Sequence, residues 1–212
     1  MKHPISALEA LERLRAGNRR FVADVRGRST LTGQERRDEL VAGQEPFAVI
    51  LGCSDSRVPA ELIFDQGLGD LFVIRVAGNI VAPSQVGSVE FAAERFGTRL
   101  VVVVGHSMCG AVLATLEERD RSVESRSPNL RSIVDRIRPA VEGLMETDLR
   151  HDPDALMQHA VRANIRASVD HLRHGSQIIE QQIQTDGLLV VGAEYSLETG
   201  VVEFLDDFPR PG

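Results

Sequence analysis

The chain has no tryptophan and one tyrosine, Tyr195, with eight phenylalanines spread over 212 residues. That leaves little for an aromatic platform on which nucleic-acid bases could stack. It also lacks a basic block: 24 Lys and Arg stand against 31 Asp and Glu, a formal net charge of −7. Nucleic-acid binding rests on clustered cations neutralising phosphates, so no nucleic-acid partner is expected. Long hydrophobic runs are missing as well. The longest, Phe47 to Leu51 and Leu100 to Val104, fall far short of the ~20 residues that span a bilayer, so no membrane association is expected. The stretch from Met1 to Glu9 has no apolar core of a secretory signal, which makes the cytoplasm the expected location. Only two cysteines occur, Cys53 and Cys109, too few for a disulfide framework. They could form one bridge, fill the core, act as a redox pair or bind a metal.

Apolar residues at 42% and charged residues at 26% are ordinary for one soluble globular domain over 1–212. Residues 6–23 read as a helix. Ser6 stands three before Glu9 in a capping-box pattern, Leu8, Leu11, Leu14, Phe21 and Val22 form a stripe, and Gly17-Asn18 weakens it. This arm, within 1–30, is expected to make a subunit contact. Gln34 to Val41 reads as a second, short helix. Four short apolar runs read as buried strands: Phe47 to Leu51, Leu71 to Arg75, Leu100 to Val104 and Leu188 to Val191. Ser84 to Phe96 and Ala111 to Glu118 read as helices between them. The polar stretch 120–128 reads as a loop. Asn129 to Met145 reads as mainly helical, and Ala155 to Gln184 as the longest helical segment. Glu198-Thr199-Gly200 between apolar runs signals a hairpin. The expected fold is α/β: a mostly parallel central β-sheet flanked by helices, with the N-terminal helical arm and a C-terminal antiparallel edge strand.

Two segments carry chemistry, each behind a predicted strand. Gly52-Cys53-Ser54-Asp55-Ser56-Arg57 follows Leu51, and Gly105-His106-Ser107-Met108-Cys109-Gly110 follows Val104. Ligands of open α/β sheets bind at the carboxyl ends of strands. If the two strands are neighbours, Cys53, His106 and Cys109 converge. Two thiolates and an imidazole suit zinc, and three protein ligands with a free fourth position are the pattern of a catalytic site. Cys109-Gly110-Ala111 would open a helix whose free N–H groups stabilise a thiolate. Asp55 can reach the same metal, and Arg57 can hold it away through a charge-assisted pair. Asp55 would then accept a hydrogen bond from the water on the metal. Should the pair break, it would fill the fourth position itself, which is an on/off switch. A redox pair stays open but lacks Cys-x-x-Cys spacing. Gly67-Leu68-Gly69 lacks the third glycine of a dinucleotide fingerprint, and Gly105 to Ala111 lacks the Lys of a P-loop. His151, His159, His171 and His174 read as surface residues.

Cys53-Ser-Asp-Ser-Arg57 with His106-x-x-Cys109 resembles the β-class carbonic anhydrases, and the resemblance covers nearly the whole chain. Gln44, nine residues before Cys53, matches an active-site glutamine, and Phe72 to Asn79 resembles the segment that follows the first motif. The resemblance implies a zinc enzyme, one Zn2+ per subunit, for reversible hydration of CO2 to bicarbonate and a proton by hydroxide generated at the metal. It implies that Asp55 orients the hydroxide and Arg57 keeps Asp55 off the metal. It implies that Gln44 and the Gly110 N–H bind substrate oxygens, that Phe72 and Ala77 wall the pocket, and that the chain is a homodimer or homotetramer. Some members carry a regulatory, non-catalytic bicarbonate site of Trp, Arg and Tyr. Arg75 and Tyr195 match two of these, and Ile50 stands at the Trp position. Carbonyl sulfide and carbon disulfide hydrolases resemble the same family. A non-catalytic zinc protein sensing bicarbonate is the rival of another class, although such a site needs neither Asp55, Arg57 nor Gln44.

Overall fold

Ala48-Val-Ile-Leu-Gly52 and Leu100-Val-Val-Val-Val-Gly-His106 are buried along their whole length, which in water only a strand covered on both faces tolerates. In the computed structural model, which describes residues 5–25, 33–117 and 127–205, these are β1 and β3. β2 is Leu71–Arg75, β4 Leu189–Tyr195 and β5 Val202–Phe204. The sheet order is β2-β1-β3-β4-β5. The first four strands are parallel, and β5 returns antiparallel on β4 with Tyr195 opposite Val202. The expected mostly parallel sheet with an antiparallel C-terminal edge is therefore what the chain forms.

Helices cover both faces. Along the chain they are α1 (Ala7–Val22), α2 (Gln34–Leu40), α3 (Ala60–Ile63), α4 (Pro83–Phe96), α5 (Gly110–Glu117), α6 (Pro128–Val141), α7 (Pro153–His174) and α8 (Gln177–Thr185). Successive strand residues point to opposite faces. Val49, Leu51, Val101 and Val103 join one apolar cluster with residues of α4 to α8. Ile50, Val102 and Val104 join a second with α1 and α3. Each Val, Leu or Ile taken out of water contributes about 1.5–3 kcal/mol, so these two layers dominate the stability.

α1 starts where expected, with Ser6 Oγ accepting from the Glu9 N–H. The helix runs unbroken through Gly17-Asn18. A Cβ on Gly17 would lie 1.8 Å from the Phe64 carbonyl oxygen, so glycine is what lets α1 approach α3 this closely. Asn18 Nδ2 donates to the carbonyls of Ile63 (3.0 Å) and Gly200 (2.9 Å), and its Oδ1 accepts from the Val202 N–H (2.9 Å). One buried amide thus ties α1 to the end of α3 and to the β4–β5 turn. The apolar stripe of the arm packs on this chain's own sheet.

The longest helical segment, read over Ala155 to Gln184, consists of two helices. α7 ends at His174, and Gly175 leaves the helix at a point where a Cβ would lie 2.5 Å from the His171 carbonyl oxygen. Ser176 then caps α8, accepting from the Ile179 N–H at 3.2 Å. Asn129 to Met145 likewise divides: α6 ends at Val141 and a 3₁₀ segment runs Glu142–Glu146. Most of the loop read over 120–128 lies outside the described residues. No helix among the described residues is long and apolar enough to cross a membrane.

Candidate functional site

β1 and β3 are neighbours, with Gly52 opposite Val104. The chain leaves β1 toward β2 on one side and β3 toward β4 on the other, so the sheet switches direction between them. A crevice at such a point is where open α/β sheets place ligands. Cys53 follows the last residue of β1, His106 ends β3, and Cys109 precedes α5. The two sulfurs and an imidazole nitrogen of this buried trio lie within 4.8 Å of one another. The His106 Nδ1 lies 2.9 Å from the Ser107 carbonyl, and its buried Nε2 has no hydrogen-bond partner among the described residues. With Nδ1–H donating to that carbonyl, Nε2 presents a lone pair toward the sulfurs. Both cysteines are free thiols. Soft sulfur and borderline nitrogen at this separation, with an orphaned Nε2, fit a zinc ion.

Local charge supports the same centre. The Cys109 thiol beside it, the His106 imidazole and the N–H groups of Asp55 and Gly78 pull the Cys53 thiol well down, against the effect of burial. The same contact pushes Cys109 up, although the N–H groups of Ala111 and Val112 at the start of α5 favour its thiolate. Burial pulls His106 down, but the neighbouring Cys53 sulfur, with the Ser107 carbonyl and the Asp55 charge, more than offsets this and raises it.

Asp55 stands beside the trio, its Oδ2 3.9 Å from His106 Nε2. Arg57 grips it with Nη2 on Oδ2 at 2.7 Å and Nε on Oδ1 at 2.9 Å. That fork holds the carboxyl well below the usual carboxylate range. Arg75 Nε donates to the Cys53 carbonyl (3.0 Å) and its Nη2 to the Asp55 carbonyl (2.6 Å), clamping the loop that carries both groups.

A family model described as carbonic anhydrase matches residues 48–202. The chain belongs to the β-carbonic anhydrase family. A carbonic anhydrase of Mycolicibacterium smegmatis is 39% identical over 201 residues, covering 95% of this chain and 93% of that one. Among solved structures, the β-carbonic anhydrase CcaA superposes with a TM-score of 0.75 at 26% identity, covering 93% of this chain and 92% of that one. A tetrameric β-carbonic anhydrase of Sordaria macrospora superposes with a TM-score of 0.71 at 26% identity, covering 80% and 85%.

The β-carbonic anhydrase match begins at β1 and holds Cys53, Asp55, Arg57, His106 and Cys109. Gly110 opens α5, and Ala77 precedes Gly78, whose N–H reaches Cys53, so both lie beside the trio. Phe72 is half-buried on the edge strand β2, its ring 6.1 Å from Phe91 and 6.0 Å from Phe96. Gln44 is not brought to the trio. It is exposed before β1, two residues from Pro46, whose carbonyl accepts from Thr98 just ahead of β3. Gln44 therefore sits at the opposite end of β1 from Cys53, about 16 Å of strand away. Arg75 lines a void of about 10 Å³ with Ile50 and Val104, room for no more than a water. Tyr195 does not line it and instead faces Phe21 in the α1 layer. His151, His159, His171 and His174 are exposed, as read. The sequence reading missed the Gly78 N–H. Its signal was Gly78-Asn79 after a strand, a dipeptide that favours left-handed turns.

Proposed function

We propose that this chain catalyses the reversible hydration of CO2 to bicarbonate and a proton, with one zinc ion per subunit held by Cys53, His106 and Cys109. The observation that carries this is the convergence of those three ligand atoms beside a carboxylate already gripped by arginine. Zinc, when bound, supplies a Lewis acid that makes water nucleophilic near neutral pH. His106 keeps its Nε2 lone pair aimed inward because Nδ1–H is committed to Ser107. Asp55, held far below neutral pH, is a poor proton acceptor and a good hydrogen-bond acceptor. It takes the O–H of the attacking oxygen and turns the oxygen's lone pair to the carbon of CO2. Arg57 holds Asp55 in that role and off the metal. Were Arg57 to let go, Asp55 would take the fourth metal position and exclude water. The Gly110 N–H at the start of α5 offers a donor to substrate oxygens, and Ala77 supplies an apolar wall; Phe72, level with Val49 at the far end of β1, could join that wall only from a second copy. A regulatory bicarbonate pair of Arg75 and Tyr195 is disfavoured, since Nε and Nη2 of Arg75 bond the loop carbonyls and Tyr195 faces Phe21.

The same reading makes the protein a homodimer or homotetramer, because only a second copy could bring Gln44 to the substrate. It places the protein in the cytoplasm, where the thiols stay reduced. Stopped-flow CO2 hydration tests the function, run beside carbonyl sulfide hydrolysis. Rapid CO2 hydration that disappears in Cys53→Ser is expected. Background hydration by protein with zinc bound would overturn the proposal.

A further inference from the structure

α7 lays Met157, Val161, Ile165, Val169 and Leu172 into the core, and Asn164 and Ser168 are as buried as these. A buried polar group without a partner costs about 1–3 kcal/mol, so the partners of these two matter. Asn164 Nδ2 donates to the Gly78 carbonyl at 2.8 Å. Ser168 Oγ donates to the Asn79 carbonyl at 3.0 Å. One helical turn apart, the two side chains hold consecutive carbonyls of one turn. That turn is left-handed: Gly78 has φ 70°, which glycine adopts freely, and Asn79 has φ 44°, which costs even asparagine a little. The Gly78 N–H lies 3.4 Å from Cys53 Sγ. Two glycines let α7 come close enough. A Cβ on Gly105 of β3 would meet Ile165 at 2.6 Å, and one on Gly192 of β4 would meet it at 2.8 Å. Ile165 seats between the strands and sets where Asn164 and Ser168 stand.

We propose that Asn164 and Ser168 are positioning residues of the metal centre, holding the Gly78–Asn79 turn so that the Gly78 N–H donates to the Cys53 sulfur. The inference rests on the zinc reading above. An N–H donor on a ligating sulfur fixes the direction of its lone pairs and tempers its charge, and such outer contacts change metal affinity. Without the α7 donors, the two left-handed residues lose the carbonyl anchors that oppose their relaxation, and the N–H swings off the sulfur.

The test uses the full chain with each of Asn164→Ala, Ser168→Ala and, as a control for simple destabilisation, Leu172→Ala. Zinc affinity is measured by competition with a chromophoric chelator. The sulfur-to-cobalt charge-transfer band of the cobalt(II) form is recorded on the same samples, well below each melting temperature. Asn164→Ala is expected to weaken zinc about 10-fold and shift the cobalt band, with Ser168→Ala doing the same to a smaller degree. Leu172→Ala should lower the melting temperature and leave affinity and band unchanged. Wild-type affinity and an unshifted band in Asn164→Ala and Ser168→Ala would overturn the proposal. Should Asn164→Ala fail to fold, Ser168→Ala, which removes one atom, decides alone. A wild-type chain that binds neither metal would instead overturn the zinc reading, and this inference with it.

Discussion

Arg57 meets the Asp55 carboxylate three times: its backbone N–H lies 3.0 Å and its Nε 2.9 Å from Oδ1, and its Nη2 lies 2.7 Å from Oδ2. The arginine side chain is more than half exposed, and pairs of that kind add little to stability. The grip therefore acts on orientation. Asp55 is a carboxylate whose proton affinity is lowered in the folded chain. The stability from that lowering is fully present above the unfolded aspartate value of about 4 and is lost progressively as pH falls from there to the group's own lower value. Arg57→Ala should lower kcat about 100-fold, because a freed Asp55 no longer orients the attacking oxygen and can close on the metal instead, with zinc content and melting temperature nearly unchanged. Unaltered kcat with full zinc occupancy would exclude a role for the grip.

Zinc removal should separate centre from fold. The residues flanking the site in β1 and β3, from Val49 to Leu51 and Val101 to Val104, are buried by hydrophobic packing alone. A chelated chain should keep its far-ultraviolet circular dichroism and melt lower. At free zinc about a thousandfold over its dissociation constant, the ion adds about 4 kcal/mol. Collapse of the dichroism on chelation would mean that the metal is structural.

The site was more legible in the sequence than the path of the chain around it. Cys53, Asp55, Arg57, His106 and Cys109 sit within a few residues of the ends of buried strands, where side chains converge through local geometry. The sheet was legible because strands covered on both faces must be apolar throughout. What sequence hid were long-range polar contacts. Gly17-Asn18 reads locally as a weak point, since its partners Phe64, Gly200 and Val202 are far along the chain. Asn164 and Ser168 read as ordinary helix residues until the turn they hold is seen. Gln44 matches by spacing, yet the strand between it and Cys53 separates them.

Gly17→Ala makes that point quantitative. In an exposed helix interior the change stabilises by about 1 kcal/mol. Here the new Cβ would meet a backbone carbonyl at 1.8 Å, which no side-chain rotation relieves. The variant should be destabilised by about 1–3 kcal/mol, read from urea denaturation. A gain in stability would show that α1 does not pack this closely on α3.

Tyr195 offers a pH test with an unambiguous probe, because it is the only tyrosine and there is no tryptophan. Burial raises its phenol above the ordinary value. The folded chain thus holds a proton that the unfolded chain has released, and stability falls as pH rises from about 10 toward the raised value. Phenolate absorbance should appear later in folded than in urea-unfolded protein. Tyr195→Phe should flatten the alkaline loss of stability. Coincident titrations in the two states would show that the phenol is open to water.

Gln44 leads to the last test. It lies before β1 and the metal trio lies after it, so a chain acting alone cannot bring the amide to its own substrate. In a two-fold assembly, Gln44 of one subunit can serve the other. Gln44→Ala and Cys53→Ser, each impaired when pure, should then complement when unfolded together and refolded. A mixed dimer contains one site with every wild-type residue. Random pairing makes half the dimers mixed, so activity should reach about a quarter of wild type. A mixture no more active than the average of its two components would place Gln44 outside the catalytic site altogether.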